Sequence, residues 1–174
     1  MLNVVLFRPQ IPSNTGNIGR TCLGFGARLH LIRPLGFELT EREVKRAGLD
    51  HWERVDLKVH DSWHDFAENV LPGIGHSNVF LVSKQLKLGS RCIADVDFFP
   101  RPSPSSSTPL SPPRWTIPPS LKGGGGVALI FGNETEGLAG LEESARICVP
   151  AVYLPMRDDL IRSYNLSNAV SGLV

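Results

Sequence analysis

Three short polar segments, each punctuated by glycine, contain the residue types in this 174-residue chain that could carry chemistry. They span residues 12–20 (PSNTGNIGR), 130–138 (IFGNETEGL) and 162–170 (RSYNLSNAV). Asn, Ser and Gly at this density are poor core material, yet each segment adjoins an apolar run. Loops that carry chemistry on a rigid scaffold have this pattern, so we expect all three segments to be functional.

Residues 12–20 are typical of a helix start that binds an anion. Gly16 and Gly19 bracket Asn17, and exposed backbone N–H groups at a helix start suit a phosphate. The segment lacks both the initial Gly-x-Gly of a dinucleotide site and the lysine of a P-loop. Arg20 could bind a phosphate through two hydrogen bonds. The alternative is a helix cap followed by a surface arginine.

Residues 130–138 continue an apolar run that we expect to be a strand. Gly132 and Gly137 would let the backbone approach a ligand closely. Glu134 and Glu136 could meet an amine or a ribose hydroxyl. The alternative is an ordinary strand-to-helix turn with solvated carboxylates.

Residues 162–170 place four small polar side chains near an expected helix start: Ser163, Asn165, Ser167 and Asn168. Such side chains compete with the helix backbone for hydrogen bonds. Capping explains one or two of the four, so this crowding indicates a further role.

The sequence predicts no metal site and no hydrolase nucleophile. His60 and His64 are spaced like half of a zinc helix, but Asp61 stands where that motif has glutamate, so a solvated helix face is favoured. Ser163 lies outside any Gly-x-Ser-x-Gly elbow, and the cysteines form no C-x-x-C pair.

Composition favours one soluble globular domain over residues 1–174, since 41% of residues are apolar and 20% charged. No apolar run approaches the roughly 20 residues of a membrane span, and no signal peptide is evident. Three scattered cysteines fit a reducing compartment, so we expect a cytoplasmic protein. Residues 1–60 hold nine basic and six acidic residues, so an RNA-binding face would be built from this first third; the alternative is an ordinary mixed surface.

The order of apolar runs predicts an α/β fold with a mostly parallel sheet and helices on both faces. Expected strands cover residues 3–7, 28–32, 54–59, 79–83, 127–131 and 147–154. Expected helices run from Ser13 or Asn14 to Gly26, then over 40–47, 62–70 and 163–174. Residues 100–126 hold eight of the 14 prolines and six serines, which predicts a flexible insertion rather than a proline-rich docking ligand.

Together and in order, the three segments resemble the motifs of the SpoU branch of knotted RNA ribose methyltransferases. Residues 9–20, 27–37 and 45–52 look like the subgroup that methylates the wobble nucleotide of leucine tRNAs. The resemblance covers nearly everything except residues 100–126. It implies a C-terminal trefoil knot, S-adenosylmethionine as cofactor, tRNA as substrate, and a homodimer with each active site at the subunit interface.

The resemblance also implies roles for individual residues. Cofactor contacts are implied for Val82, Ser83, Gly132, Asn133, Leu154, Met156 and Ser163. A catalytic group is implied that comprises Asn14, Arg20, Glu134, Ser163 and Asn165. RNA contacts are expected from Arg8, Arg20, Lys45 and Arg46.

Chemistry accounts for part of this assignment. A sulfonium methyl group is already activated, so no metal is needed, and the enzyme must align a ribose 2′-hydroxyl with it. Arg20 stays protonated, so we expect it to orient a substrate phosphate and stabilise the developing alkoxide rather than act as a base. The alternatives are another RNA ribose target, or a non-catalytic RNA-binding or assembly protein.

Three features depart from the family pattern. The stretch before residue 130 is longer than usual, and residues 157–161 form a loop one residue longer than typical, which affects the alignment of Ser163. Family members continue the last helix beyond the position of Val174, so we expect weaker dimerisation here.

Overall fold

Seven parallel strands form one sheet through the described part of the chain. The computed structural model describes residues 1–39, 52–75, 78–83, 91–92, 96, 126–141, 149–156, 159–161 and 163–174. The strands are β1 (Leu2–Phe7), β2 (Arg28–Ile32), β3 (Leu57–His60), β4 (Val79–Val82), β5 (Arg91–Cys92), β6 (Val127–Phe131) and β7 (Ala151–Tyr153). Their order across the sheet is β3-β2-β1-β6-β4-β7-β5.

Helices cover both faces of this sheet, as predicted. The helices in the described residues are α1 (Pro12–Phe25), α2 (Trp63–Asn69), α3 (Leu71–Ile74) and α4 (Leu166–Ser171). On one face, Val4 and Leu6 of β1 share a buried cluster with Ile18 of α1 and Val170 of α4. On the other, their alternating neighbours Val5 and Phe7 share a cluster with Phe66 of α2 and with α3. Continuous apolar runs such as β1 and β6 are therefore buried on both sides, as parallel strands require.

The start of α1 differs from the prediction. The helix begins at Pro12 with Ile11 as its N-cap, and no side chain caps it. Proline suits a first helical position because its missing N–H would have no partner there. Neither Ser13 nor Asn14 is therefore the cap, and the Asn14 side chain is left for tertiary contacts. The helix ends at Gly26, whose φ of 65° is left-handed, as predicted for a glycine stop.

Other boundaries are confirmed or shifted. Residues 28–32 and 127–131 form strands as predicted, and Ser62 caps α2 by accepting a 3.1 Å hydrogen bond from the Asp65 N–H. The third strand begins at Leu57, not residue 54, because Trp52–Arg54 form a 3-10 turn. The last helix begins at Leu166, three residues later than predicted, and ends at Ser171.

The remaining predictions concern the last strand, two short elements and regions outside the described residues. In the described residues 149–154, β7 covers only Ala151–Tyr153. The short elements α3 and β5 were not predicted. The predicted helix at 40–47 lies outside the described residues, as do Lys45, Arg46 and all but the last residue of the insertion predicted at 100–126.

The strand order places four carboxyl ends at one edge of the sheet. β6 lies between β1 and β4, and β7 lies on the far side of β4. Because these strands are parallel, the residues that follow each of them emerge at the same edge, where ligands bind in open α/β sheets. No helix in the part of the chain that the structure describes is long and apolar enough to cross a membrane.

Candidate functional site

A cavity of about 700 Å³ opens at this edge of the sheet. The ends of β4 and β6, the turn after β6, β7 with the residues that follow it, and the starts of α1 and α4 all contribute to its lining. Its lining includes Ile11, Asn14, Leu81, Val82, Ser83, Phe131, Gly132, Asn133, Glu134, Leu138, Leu154, Met156, Ser163, Tyr164, Asn165 and Ala169. Residues from all three polar segments therefore surround one space.

The Glu134 carboxylate ties the second segment to the first. Its Oε2 accepts a hydrogen bond from the Gln10 backbone N–H at 2.9 Å. Its Oε1 accepts from the Ile11 N–H at 3.3 Å and from the Asn14 side-chain amide at 3.0 Å. Hydrogen bonds to a carboxylate are stronger than those between neutral groups. Glu134 thus holds the chain that leads into α1 and fixes the orientation of the Asn14 amide.

Asn165 ties the third segment to the same pair. Its Nδ2 donates to the Asn14 Oδ1 at 3.0 Å, while its Oδ1 accepts from the Ser167 backbone N–H at 2.9 Å and the Ser167 hydroxyl at 2.7 Å. The contact to the N–H of Ser167 is the N-cap of α4. Asn165 therefore caps a helix and completes a line of hydrogen bonds from Glu134 through Asn14.

The turn after β6 explains the glycines of the second segment. Asn133 and Gly137 exchange two backbone hydrogen bonds of 3.0 Å, and Gly137 has a left-handed φ of 62°. A Cβ on Gly132 would lie 2.1 Å from the Gly137 carbonyl carbon, so only glycine fits there. The Asn133 Oδ1 accepts from the backbone N–H groups of Thr135 and Glu136 at 3.1 and 2.6 Å. Its oxygen is therefore committed to the turn that presents Glu134.

The structure brings together the predicted cofactor residues and four of the five predicted catalytic residues. The seven predicted cofactor residues all line the cavity: Val82, Ser83, Gly132, Asn133, Leu154, Met156 and Ser163. The predicted catalytic residues Asn14, Glu134, Ser163 and Asn165 line it as well. The sequence did not single out Leu138 or Tyr164, although an aromatic residue between Ser163 and Asn165 was a usable signal.

Arg20 is not brought into this group. It is exposed on α1 and does not line the cavity. Arg20 lies six positions after Asn14 on the helix. Six positions correspond to one full turn and about 240° more, so the two side chains leave the helix in different directions. Its predicted role therefore stays a prediction.

Arg8 lies at the end of β1, next to the chain that Glu134 holds. Its φ of 53° is left-handed, which is uncommon for a residue with a side chain. Its guanidinium carbon lies 4.9 Å from the centre of the Phe7 ring, and its buried Nε has no hydrogen-bond partner among the described residues. The Arg8 side chain, for which an RNA contact is predicted, is thus partly packed against the protein.

The two histidines that were considered as a metal half-site lie in different environments. His64 is exposed on α2, where its Nε2 lies 3.1 Å from the Glu68 Oε1, as expected of a solvated helix face. His60 is instead buried at the end of β3, so that expectation is wrong for it. Within the described residues, no three His, Cys, Asp or Glu side chains are grouped to hold a metal ion.

His60 belongs to a buried polar chain that the sequence did not reveal. The His30 Nδ1 lies 2.9 Å from the His60 Nε2, and the His30 Nε2 lies 3.1 Å from the Asn3 Oδ1. Burial lowers the pKa of His30 from 6.5 to about 3, helped by His60 and the positive charges of Arg28 and Lys58, and partly opposed by Asp56. Burial also lowers the pKa of His60, and Asp65 opposes that shift. His30 is therefore neutral at physiological pH.

Comparison with known proteins places the chain in a family. A tRNA (cytidine(34)-2′-O)-methyltransferase of Burkholderia pseudomallei (strain 1106a) is 35% identical over 174 residues, which cover 100% of this chain and 92% of that protein. A solved structure described as giving insights into the 2-OH methylation of C/U34 on tRNA is 35% identical, with a TM-score of 0.72 and coverage of 99% and 91%.

A more distant structure supports the same fold. The SpoU methyltransferase AviRb from Streptomyces viridochromogenes, in complex with the cofactor AdoMet, matches with a TM-score of 0.68 at 20% identity, covering 99% of this chain and 55% of AviRb. The model of the SpoU rRNA methylase family matches residues 1–173. The chain belongs to the SpoU rRNA methylase family.

Proposed function

We propose that this chain transfers a methyl group from S-adenosylmethionine to the 2′-hydroxyl of the wobble nucleotide of a tRNA, and that leucine tRNAs are its substrates. The observation that carries the proposal is the hydrogen-bonded line from Glu134 through Asn14 to Asn165 at the cavity wall. The named activity of the relative from B. pseudomallei supports the tRNA wobble position. The choice of leucine tRNAs rests on the sequence resemblance.

The cavity fits S-adenosylmethionine in size and in the chemistry of its lining. Small-molecule sites usually enclose about 300–1,000 Å³ and combine apolar walls with a few polar groups, and this cavity encloses about 700 Å³. Leu138, Leu154 and Met156 offer an apolar surface to an adenine ring. Val82, Ser83, Gly132, Asn133 and Ser163 offer backbone or hydroxyl groups to the polar parts. When bound, the cofactor supplies an electrophilic methyl group on a sulfonium.

The residues of the chain itself act by positioning. Both oxygens of Glu134 accept hydrogen bonds from N–H groups, so this carboxylate holds the first segment in place. The Asn14 and Asn165 amides are thereby fixed before substrate arrives. Alignment of a nucleophile by fixed groups can supply roughly 7–11 kcal/mol of a barrier in favourable cases.

Basic residues of the first part of the chain are proposed to bind RNA phosphates. Arg20 is exposed on the helix whose first turn lines the cavity, so we assign it to a phosphate of the substrate RNA and to stabilisation of its reacting oxygen. Arg8, Lys45 and Arg46 are proposed as further phosphate contacts on the more basic first part of the chain.

The proposal extends to the knot and the assembly. In the sheet β4 lies between β6 and β7, and α4 packs on α1. The C-terminal trefoil knot and the homodimer are proposed from the sequence resemblance, and the cytoplasmic location from the three scattered cysteines.

A methyl-transfer assay tests the proposed function. Purified protein is incubated with bulk tRNA and S-adenosylmethionine labelled in the methyl group, and the labelled nucleoside is mapped. We expect a 2′-O-methylated pyrimidine at the wobble position of leucine tRNAs. Label at another ribose would indicate a different RNA target. Binding of cofactor and tRNA without transfer would indicate a non-catalytic RNA-binding protein.

A further inference from the structure

Tyr164 presents an aromatic ring at the mouth of the cavity. The residue lines the cavity and is nevertheless 43% exposed. Its hydroxyl donates a 3.1 Å hydrogen bond to the Pro155 carbonyl, which restrains the ring. Its sequence neighbours Ser163 and Asn165 line the same cavity. The ring is therefore held beside the polar groups of the site while part of it faces solvent.

Three exposed apolar side chains accompany this ring, two shortly before it in the sequence and one in the cavity lining. Leu160 is 69% exposed and Ile161 is 41% exposed, and both belong to the loop that leads to Tyr164. Ile11, also 41% exposed, lines the cavity from the first segment. Exposed apolar groups that cluster at a cavity usually mark a surface that a partner covers. A flat ring with a polar end, as in tyrosine, suits a partner that is itself flat.

We propose that the Tyr164 ring stacks on the nucleobase of the target nucleotide and so holds its ribose beside Ser163 and Asn165. The inference rests on the proposed function and identifies a substrate-binding residue for it. Single-stranded RNA loops present unstacked bases, which proteins bind by stacking them on aromatic side chains. The ring is too exposed to serve as the wall for the cofactor's adenine, and the half-buried Leu138, Leu154 and Met156 already offer that wall.

Equilibrium binding of RNA distinguishes the contribution of the Tyr164 ring from that of its hydroxyl. The probe is a fluorescent anticodon stem-loop of a leucine tRNA, and the variants are Tyr164→Leu, Tyr164→Phe and the control Phe25→Leu. Phe25 is 52% exposed and does not line the cavity. Loss of one stacked base weakens binding by roughly 5- to 150-fold, which we expect for Tyr164→Leu only. Affinity for S-adenosylmethionine should be unchanged in all three.

An RNA that lacks the wobble base identifies the stacking partner. If that base lies on the Tyr164 ring, removal of the base weakens binding to wild type but causes little further loss in Tyr164→Leu. Additive losses would overturn the proposal, as would equal RNA affinity of Tyr164→Leu and wild type, or a loss of cofactor affinity instead. A wild-type protein that passes this binding test but transfers no methyl group would refute the proposed function alone.

Discussion

Acid should destabilise this protein through His30, a residue far from the proposed reaction. His30 is fully buried and its pKa is lowered from 6.5 to about 3. In the unfolded chain His30 takes up a proton as the pH falls below 6.5, whereas in the folded protein it stays neutral until about pH 3. The stability that the neutral ring confers is therefore present above pH 6.5 and is lost as the pH falls.

The hydrogen bonds around His30 explain why its protonated form is excluded. The Asn3 side-chain amide donates to the Met1 and Val127 carbonyls, so its oxygen faces the His30 Nε2 and accepts a hydrogen bond from the Nε2–H. The His30 Nδ1 is then the acceptor for the His60 Nε2–H at 2.9 Å. Protonation of His30 would place two N–H groups against each other in the core.

The size of the effect follows from the two pKa values. Each pH unit between them removes about 1.4 kcal/mol from the free energy of unfolding. From about pH 7.5 to about pH 5, His30 alone should therefore remove about 2 kcal/mol, out of the roughly 5–15 kcal/mol of a typical domain. The pKa of His60 is lowered too, so its contribution has the same sign.

Urea unfolding at a series of pH values measures this loss directly. The His30→Gln variant keeps a polar side chain but cannot titrate. The slope of its free energy of unfolding against pH should therefore be smaller than that of wild type by the equivalent of about one bound proton. His64→Gln makes the same change at an exposed position on α2 and is the matched control. Equal pH dependence of wild type and His30→Gln would refute the reasoning.

Three further predictions concern the candidate site. Asn165→Asp keeps the oxygen that caps α4 but loses the N–H donor to Asn14. The melting temperature should therefore fall less in Asn165→Asp than in Asn165→Ala, whereas methyl transfer should be lost in both variants. Equal methyl-transfer activity of Asn165→Asp and wild type would contradict the positioning role. Gly132→Ala should disrupt the turn after β6 and lower the melting temperature, because the new Cβ would clash with Gly137. The control Gly24→Ala places its Cβ in open space on α1, so calorimetry should show a stabilisation of roughly 0.5–1 kcal/mol. Arg20→Ala should abolish methyl transfer while calorimetry still detects binding of S-adenosylmethionine; loss of both would rule out the phosphate role.

The sequence predicted the sheet well where apolar residues run without interruption. β6 has the predicted bounds because its run VALIF is buried on both faces, as in a parallel strand, and the mixed run RLHLI of β2 also forms a strand with the predicted bounds. The prediction was wrong at the start of α1, where the sequence makes Asn14 a candidate helix cap. In the structure the Asn14 side chain instead forms hydrogen bonds with Glu134 and Asn165, which come from distant parts of the chain. The sequence also contained no sign of the His30 pair, because the partner of His30 depends on the pairing of β2 with β3.

The order of the strands explains why the three segments meet, and no local pattern in the sequence determines that order. β6 pairs with β1, so the turn that carries Glu134 emerges beside the chain that leads into α1. α4 packs against α1 on one face of the sheet, which brings Asn165 to Asn14. The Asn165 oxygen caps α4 while the nitrogen of the same amide donates to Asn14, so the helix start itself orients the group that joins the two segments. The position of Asn165 beside Asn14 therefore depends on the packing of α4 against α1.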